Sequence, residues 1–504
     1  MSTESPAGDR WHAGMTGGDR LPATTSEQRF ASPVSTVQHP RRQYDRLRER
    51  HCADAMMLAP ALIERLSWSA ERLAVHRRAR LRALLRTATE HSHWHRRRLS
   101  GIRVETFEES DMDRLPVMTK DDLMEHFDEI LTDARLSLEL VESHLASLTD
   151  GAYLLDCYHA VASGGSSGRR GVFVFGWDAW AIRWLSNVRL VLREYAGHDS
   201  PVQVAMVASG DVTHGTSALS RTFSHPMRPV LRLPVTLPLG EIVAGLTAAQ
   251  PAVLTGYPSS LLPLAHETLA GRLRIRPHCV ISTSEPLFPA VRSVLEDAWC
   301  VPVTNCWSAS EAGGIAVSCG RGPGMHLSED LVIVEPVDEE GRAVPTGVQS
   351  AKVYLTNLYN PTLPLIRYEI TDRVTTLGGV CPCGSGHRRI EDVEGRTDDV
   401  FLYGNLMVNP MAFETPLTRQ RSVLDYQVRQ TRRGAVIAVR SLGPVDVPLL
   451  QSEISGNLVR LGLGEPEVVV TVVDELDRVR TGKLRRFIPL PDRDDVVHHL
   501  PDHD

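Results

Sequence analysis

The sequence predicts an α/β protein with a large N-terminal unit of mixed sheets and helices and a small, mobile α+β unit at the C-terminus. Three observations support this prediction. Short apolar runs alternate with amphipathic segments of helix length after Asp150, as in layered α/β domains. Two later runs alternate apolar and polar residues, as strands with one exposed face do. The chain has 504 residues, 42% of them apolar, which is enough for about three globular units.

The first segment, residues 1–40, is rich in small and polar residues without apolar periodicity, and we expect it to be disordered. From about Asp54 to His91, apolar residues recur every three to four positions, which predicts helix. Arginines occupy the other face of this segment. They are interpreted as a solvated face whose stems cover apolar neighbours, with an anion- or nucleic-acid-binding surface as the alternative.

A further helix is predicted to start at Thr119. Asp122 follows three residues later, just before an apolar-periodic segment. A hydroxyl residue and an acidic residue at this spacing can cap each other's backbone N–H groups.

Seven apolar runs predict strands, and several of them are apolar throughout, as expected inside a sheet covered on both faces. They are VFVFGW (172–177), PVQVAMVAS (201–209), AVLTGYP (252–258), HCVISTSEP (278–286), VPVTNCW (301–307), LVIVEPV (331–337) and AKVYLTNL (351–358). The amphipathic segment PAVRSVLEDAW (289–299) predicts a helix between two of these strands.

After Gly395 a shorter unit of about 95 residues contains the alternating runs GAVIAVRSL (434–442) and PEVVVTVVDEL (466–476), which predict strands. The predicted organisation is therefore an extension over 1–40, a large domain over 41–395, a small domain over 396–490 and an acidic tail over 491–504.

Composition narrows the class of protein. The net charge of −7 argues against nucleic acid as the main partner. No run approaches 18 apolar residues, and the N-terminus lacks a secretion signal, so we expect a cytoplasmic protein that does not bind a membrane. Eight cysteines are too few for a disulfide scaffold.

The segment 163–171 combines four glycines, three serines and two arginines just before a predicted strand. Glycines let backbone N–H groups converge on an anion, and hydroxyl and guanidinium groups add donors. The segment fits neither common nucleotide-binding glycine motif. A phosphate-binding loop and a flexible linker both remain open from these residues.

Seven short motifs follow one another along the chain: SGGSSGRRG (163–171), GYPSSL (256–261), STSEPL (282–287), NCWSASEAGG (305–314), RYEITDRV (367–374), EGRTDD (394–399) and RTGKLRRF (480–487). In this order they resemble the phenylacetate-CoA ligase branch of the adenylate-forming acyl-CoA synthetase superfamily. The resemblance extends from about Arg80 to about Phe487. It implies a large adenylation domain that binds ATP and an acid, followed by a small lid domain.

The resemblance implies a role for each motif. Lys483, Glu311 and Arg396 are the implied catalytic residues, with Lys483 stabilising charge on the α-phosphate. Glu311 is the magnesium candidate, because Mg²⁺ prefers carboxylate oxygens. Asp372 would bind the ribose hydroxyls, and Asp398 matches the interdomain hinge. The residues implied for nucleotide binding are Ser163, Gly164, Gly165, Ser166, Ser167, Gly168, Arg169, Ser284, Glu285, Pro286, Trp307, Ser310, Asp372 and Asp398.

The acid-binding residues implied by the resemblance are Tyr257, Pro258 and Ser282. The alternative for each of these residues is a purely structural role in the core or in a turn. His214 and His225 are assigned to loops or core rather than to ligand binding or base catalysis.

Four residues form a candidate metal site. Cys381 and Cys383 share one tight turn, and Cys319 and His326 lie seven residues apart. Three thiolates and an imidazole suit tetrahedral, structural Zn²⁺, and members of the ligase branch carry a similar cluster. Buried free thiols are the alternative.

The function that these patterns imply is ATP- and Mg²⁺-dependent activation of a carboxylic acid, expected to be aromatic, followed by transfer to coenzyme A. Transfer to an amine or to a carrier-protein thiol is the close alternative, and a non-catalytic nucleotide-binding homologue is the third. The chain departs from the family pattern at Arg169, Arg170, Trp307 and Thr371, which bears on the identity of the acid and the acceptor. A homodimer is a family expectation.

Overall fold

The computed structural model describes residues 40–163, 171–194, 202–224, 229–393, 401–404, 406–408, 410–420, 422–441, 443–477 and 486–490. The chain divides into two compact units, Met1–Gln43 and Tyr44–Asp504. The first contributes only the start of one helix to the described residues, and the predicted disorder of 1–40 and the acidic tail lie outside them. The second unit contains the elements that matter for function.

Six helices precede the first strand: α1 (Pro40–Glu64), α2 (Ala70–His91), α3 (His93–Arg98), α4 (Lys120–Glu125), α5 (Phe127–Ile130) and α6 (Leu138–Ser147). The periodic segment from Asp54 to His91 is therefore two helices, and its continuous pattern is misleading. The Ser67 hydroxyl donates to the Glu64 carbonyl at 2.8 Å, and the Ser69 hydroxyl accepts from Arg72 N–H at 3.3 Å. These serines end one helix and cap the next.

The arginines of α2 match their interpretation as a solvated face only in part: Arg72, Arg78 and Arg86 are exposed, whereas Arg77 and Arg82 are largely covered. Arg77 pairs with Glu109 at 2.9 Å and with buried Glu329 at 3.2 Å. Arg82 pairs with Glu108 at 2.7 Å. Arg77 and Arg82 thus attach α2 to neighbouring segments of the same unit.

The predicted helix start at Thr119 is confirmed. The Thr119 hydroxyl accepts from Asp122 N–H at 3.1 Å, and the Asp122 carboxylate accepts from Thr119 N–H at 2.8 Å. This reciprocal pair caps α4.

The α/β prediction is confirmed by a nine-stranded sheet with the order β13-β14-β9-β8-β7-β6-β5-β3-β4. Strands β3 to β7 are parallel neighbours, and β8, β9, β14 and β13 continue the sheet in antiparallel fashion. The strands of this sheet are β3 (Val204–Ala208), β4 (Val230–Pro234), β5 (Val253–Gly256), β6 (Cys279–Thr283), β7 (Val303–Ala309), β8 (Gly313–Val317), β9 (Met325–Leu327), β13 (Thr376–Leu377) and β14 (Arg389–Ile390).

Two smaller sheets flank it. One pairs β1 (Tyr158–Ala162) with β2 (Val172–Gly176), and the other contains β10 (Val332–Val337), β11 (Lys352–Asn357) and β12 (Tyr368–Ile370). All seven predicted strand runs thus contain strands. The helices between them are α7 (Trp177–Glu194), α8 (Gly215–Thr222), α9 (Leu239–Ala249), α10 (Pro258–Leu269) and α11 (Pro289–Trp299), and α11 has the predicted bounds.

The two faces of the parallel strands bury different partners, because neighbouring side chains on a strand point to opposite faces. Ala205 and Val207 of β3 belong to a core with Leu246 of α9 and Leu264 of α10. Met206, between them, faces a cavity on the side of α7. The sheet is thus packed on one face and hollowed on the other.

The C-terminal part has a core of its own, which includes Phe401, Phe413, Ile437, Ile454 and Phe487. A four-stranded sheet of order β19-β18-β17-β20 carries it. Its elements are β15 (Phe401–Tyr403), β16 (Leu406–Val408), α12 (Met411–Arg419), β17 (Val423–Thr431), β18 (Gly434–Ser441), α13 (Val447–Arg460), β19 (Glu467–Val472) and β20 (Phe487–Ile488). Both strands predicted here are present as β18 and β19.

None of the helices in the described part of the chain combines the length and the apolar character needed to span a bilayer.

Candidate active site

A cavity of about 790 Å³ opens where the parallel strands β3, β5, β6 and β7 end. Ligands of open α/β sheets bind at this edge, because the connecting loops there present polar groups above the carboxyl ends of the strands. Predicted site residues from five separate motifs meet in its wall: Ser163, Tyr257, Ser284, Glu285, Pro286, Ser310, Glu311 and Asp372. They are up to about 210 positions apart in the chain, so only the fold brings them together.

Ser310 and Glu311 lie in the tight connection between β7 and β8. The buried guanidinium of Arg183 donates to the Ser310 carbonyl at 2.7 Å, and the Asn357 side-chain amide donates to the Glu311 carbonyl at 3.0 Å. Both main-chain oxygens are therefore used by the protein, which leaves the side chains of this turn to line the cavity. Burial lowers the pKa of Arg183, and the nearby Tyr359 and Glu311 oppose that effect.

Gly313 and Gly314 let this turn approach α7. A Cβ on Gly314 would lie 2.7 Å from the Ser186 carbonyl oxygen, and Gly313 has a φ of +64°. The Gly314 N–H donates to the Ser186 hydroxyl at 2.9 Å. Larger residues here would push Glu311 away from the cavity, since backbone cannot yield as a side chain can.

The loop after β6 is the second built feature. Ser284 has a φ of +66°, a left-handed conformation that costs a non-glycine residue about 1 kcal/mol and recurs at functional sites. Glu285 accepts hydrogen bonds from the N–H (3.1 Å) and the hydroxyl (2.9 Å) of Ser259, at the start of α10. Burial raises the pKa of Glu285 to about 7 even though both bonds oppose it. The Glu285 carboxyl thus fixes the loop that presents Ser284 and Pro286.

Asp372 lines both the main cavity and a smaller adjoining one of about 90 Å³. Trp307, one of the residues implied for nucleotide binding, is 8% exposed and lines only the smaller cavity. Ser284, Glu285 and Pro286 belong to both walls. A carboxylate, an aromatic ring and the β6 loop therefore surround a space next to the main cavity.

The three predicted acid-binding residues differ in position. The Tyr257 hydroxyl accepts from Ser209 N–H at 3.0 Å, and its ring lines the cavity. Pro258 is the first residue of α10 and Ser282 is fully buried in β6, and neither lines the cavity. Thr283, next to Ser282, forms the wall instead, because alternate residues of a strand face opposite sides.

Several predicted residues lie outside the described part of the chain. These are Gly164, Gly165, Ser166, Ser167, Gly168 and Arg169 of the glycine-rich loop, together with Arg396, Asp398, Lys483 and also His225. Ser163, where the loop begins, is described: its N–H donates to the Gly171 carbonyl at 2.8 Å, and its hydroxyl accepts from Gly171 N–H at 2.9 Å. The two ends of the loop are thus held together at the cavity wall.

Two residues in the cavity wall were missed by the sequence reasoning. His214, assigned to loop or core, lines the cavity, and its Nδ1 is buried without a hydrogen-bond partner among the described residues. The Tyr368 hydroxyl is buried in the same wall and also has no partner there. Burial lowers the pKa of His214 and raises that of Tyr368, so both are neutral at pH 7. Buried polar groups without partners are rare and indicate a ligand or ordered water.

The C-terminal part closes one side of the cavity. Pro410 and the α12 residues Glu414 and Thr415 belong to its wall. Arg419, at the end of α12, lies 3.8 Å from the Asp211 carboxylate, which accepts from Thr213 N–H and hydroxyl just before His214. The turn carrying His214 therefore touches both parts of the molecule.

The predicted metal site is assembled as a cluster. The ligand atoms of Cys319, His326, Cys381 and Cys383 all lie within 4.8 Å of one another. Cys319 Sγ is 3.6 Å from Cys381 Sγ, and Cys383 Sγ is 3.3 Å from His326 Nε2. A tetrahedral Zn²⁺ with 2.3 Å bonds separates two thiolates by about 3.8 Å. The donor set and its spacing fit zinc.

The loop 385–387 orients His326 of the cluster and attaches the cluster to the helices. His326 Nδ1 lies 3.2 Å from the main-chain carbonyl of His387, which accepts a hydrogen bond from it. This bond turns Nε2 toward the thiols. In the same loop, the Ser385 hydroxyl donates to the Leu66 carbonyl at 2.7 Å, and Gly386 N–H donates to the Trp68 carbonyl at 3.0 Å. The cysteine loop therefore clasps the break between α1 and α2.

Comparison with known proteins agrees with the fold and the motifs. No protein-family model matches the chain. The phenylacetate-coenzyme A ligase of Thermus thermophilus is 30% identical over 217 residues, which are 42% of this chain and 46% of that protein. The chain thus matches just under half the length of this curated relative.

Solved structures match over more of the chain. The crystal structure of 2-hydroxyisobutyryl-CoA ligase in the postadenylation state is 20% identical, with a TM-score of 0.54 over 86% of this chain and 92% of that one. The same ligase with 2-HIB-AMP and CoA in the thioesterification state gives a TM-score of 0.58 over 84% and 91%. The chain therefore has the fold of the adenylate-forming CoA ligases, and the matched relative confirms its resemblance to their phenylacetate-CoA ligase branch.

Proposed function

We propose that the protein activates a carboxylic acid with ATP as an acyl-adenylate and then transfers the acyl group to coenzyme A. The observation that carries the proposal is the convergence of Glu311, Asp372 and the Ser284–Pro286 loop on one cavity at the carboxyl ends of the parallel strands. These residues come from three of the motifs that resemble the ligase branch.

In the first step a carboxylate oxygen attacks the α-phosphorus of ATP, and pyrophosphate leaves with the electron pair of the broken P–O bond. The described residues offer part of what this step needs. Asp372 can accept two hydrogen bonds from the ribose hydroxyls, next to the space that Trp307 lines. The buried Tyr368 hydroxyl, which can donate, and the buried His214 imidazole face the same cavity. Donors that are fixed before the reaction stabilise developing charge without reorganisation.

Glu311 fits the role of magnesium ligand, because its carboxylate lines the cavity while its main-chain oxygen is bound by Asn357. Mg²⁺ supplies charge neutralisation on the phosphate oxygens when bound. Lys483, Arg396, Asp398 and the glycine-rich loop are proposed to complete the site, with the assignments that the motifs imply.

In the second step the thiol sulfur of coenzyme A attacks the acyl carbon, AMP leaves and the thiol proton is released. Two observations support coenzyme A as acceptor. The curated relative is a phenylacetate-coenzyme A ligase, and the 2-hydroxyisobutyryl-CoA ligase of the same fold was captured with an acyl-AMP and CoA together. We propose an aromatic acid because Trp184 and Phe223, stacked at 4.7 Å, line the cavity.

We also propose that residues 396–490 act as the lid over this cavity and that the four-residue cluster holds a structural Zn²⁺. The lid assignment is supported by the separate core of the C-terminal part and by α12 at the cavity wall. A rotating lid would carry Lys483 to the cavity for the first step and remove it for the second.

The test is pyrophosphate release from ATP, Mg²⁺ and a panel of aryl and short aliphatic acids, with hydroxylamine as a trap for the adenylate. Glu311→Gln should lower kcat/KM at least a hundredfold. Glu340→Gln is the matched control, because Glu340 is 65% exposed on a turn that does not line the cavity. Lys483→Ala should abolish adenylation while thermal stabilisation by ATP remains.

The acceptor is then identified by product analysis with coenzyme A, an amine or a carrier-protein thiol. A thioester with coenzyme A supports the proposal. Trapping by hydroxylamine but not by coenzyme A would replace the acceptor. Stabilisation by ATP without pyrophosphate release from any acid would instead favour a non-catalytic nucleotide-binding protein.

A further inference from the structure

The cavity does not end at the nucleotide side of the sheet. It continues between α7 and the hollowed sheet face as far as Val191 on α7 and Val204, Val230 and Val253 at the opposite ends of their strands. We call this continuation the distal channel. It is part of the same 790 Å³ cavity, close to the upper end of the volumes of small-molecule sites.

The length of the cavity between α7 and the sheet, from the nucleotide end to the far end of the distal channel, can be measured in two ways. On α7, lining residues extend from Arg183 to Leu192, which is about 13 Å at 1.5 Å per residue. Across the sheet, Val253 and Tyr257 both line the cavity, and four steps along a parallel strand also span about 13 Å. The space between α7 and the sheet is therefore about 13 Å long from the nucleotide end to the far end of the distal channel, which is longer than one aromatic ring.

The walls change character along this length. The charged residues of the described wall, such as Glu311, Asp372 and Arg183, lie at the nucleotide end. The stacked pair Trp184 and Phe223 comes next. Beyond it the described wall is aliphatic and carries no charged side chain, with Val191, Val204 and Val253 on facing sides. An aromatic section thus precedes an aliphatic section.

We propose that the substrate is an aromatic acid with an elongated apolar substituent, whose ring lies beside Trp184 and whose tail fills the distal channel. This deepens the proposed function and rests on it. A short acid leaves the aliphatic section to water, whereas each methylene buried there should raise kcat/KM about fourfold. A charged group at the far end of the substituent would be disfavoured, since the described wall offers it no charged partner there.

The test compares benzoate with 4-butylbenzoate and 4-hexylbenzoate as probes in the hydroxylamine assay on the full-length protein, and 4-hexylbenzoate is expected to react at least a hundredfold better than benzoate. Val191→Trp fills the distal channel and should reduce that preference, measured as the ratio of the two kcat/KM values in the variant, to below about tenfold. Val204→Phe does the same from the opposite wall if Val191→Trp fails to fold. Arg193→Trp is the matched control, because Arg193 is exposed on the same turn of α7.

Equal reactivity of benzoate and 4-hexylbenzoate in the wild type would overturn the inference while leaving the proposed function intact. Absence of hydroxamate from every acid would refute the proposed function instead. The channel is then judged by calorimetric binding of the same probes. An affinity that rises with substituent length and is lost in Val191→Trp supports it, and an affinity independent of length overturns it.

Discussion

Replacing Glu285 by Gln should make the protein less sensitive to pH. The Glu285 carboxyl is held by Ser259 in a wall of the cavity, and burial raises its pKa from the ordinary value of 4.5 to about 7. The folded state therefore holds this proton more tightly than the unfolded state. The stabilisation is complete below pH 4.5 and is lost as pH rises through about 7. A glutamine has no proton to lose in this range.

The size of the effect follows from the two pKa values. Their difference is worth at most about 3 kcal/mol, and less to the extent that Glu285 faces the open cavity. For a unit of some 460 residues this is a change in Tm of about 3 °C. The difference in Tm between Glu285→Gln and wild type should therefore rise by up to about 3 °C from pH 4.5 to pH 8, in favour of the variant.

The measurement is thermal unfolding followed by near-UV circular dichroism across this pH range, without nucleotide. Glu340→Gln, the same chemical change at an exposed turn, is the matched control. A flat difference for Glu285→Gln would refute the reasoning, because it would mean that the Glu285 carboxyl titrates alike in the folded and unfolded chain.

Two further predictions concern stability and metal content. Arg189 donates to both oxygens of Asp330 at 2.6 and 2.8 Å, with both side chains buried, and holds the Asp330 pKa at about 2 despite burial. Asp330→Asn should therefore lower the free energy of unfolding, measured by chemical denaturation, by about 3–5 kcal/mol. A loss below about 1 kcal/mol would contradict this prediction. Purified protein should contain one zinc per chain by elemental analysis, and Cys381→Ser should lose it, whereas Cys300→Ser, at an exposed isolated cysteine, should keep it. Zinc-free protein with unchanged Tm would refute a structural metal.

Much of the fold could be predicted because its signals are local. Several of the parallel strands, such as β3 and β5, are predominantly apolar because they lie inside the sheet, and this makes runs such as PVQVAMVAS easy to find. The reciprocal cap of Thr119 and Asp122 depends only on residues three apart. The break between α1 and α2 was missed because Ser67 and Ser69 compete for backbone hydrogen bonds within a segment that keeps its apolar period.

The site was only partly predictable, because some of its features depend on contacts between distant segments. Motif residues such as Glu311 and Asp372 line the cavity, and the four metal-site residues form one cluster. Whether a strand residue faces the cavity depends on register, so Ser282 and Thr283 could not be distinguished from the sequence. His214 and Tyr368 stand out only through burial without a partner, which is a property of the folded wall. Arg77 of α2 forms an ion pair with Glu329, a residue from a distant segment of the chain.

The clasp around the helix break also constrains the order in which the chain can fold during synthesis. The hydrogen bond from Ser385 to Leu66 joins residues 319 positions apart, and Leu81, Leu84 and Leu85 of α2 pack on Ile333, Leu358 and Ile366. At ribosomal rates of about 5–20 residues per second, α2 waits roughly 15–65 s for these partners. During that interval the apolar face of α2 can pack only on nearby residues such as Val104, Phe107 and Met112, so the docking of this early helix onto the later strands is delayed until those strands have been made.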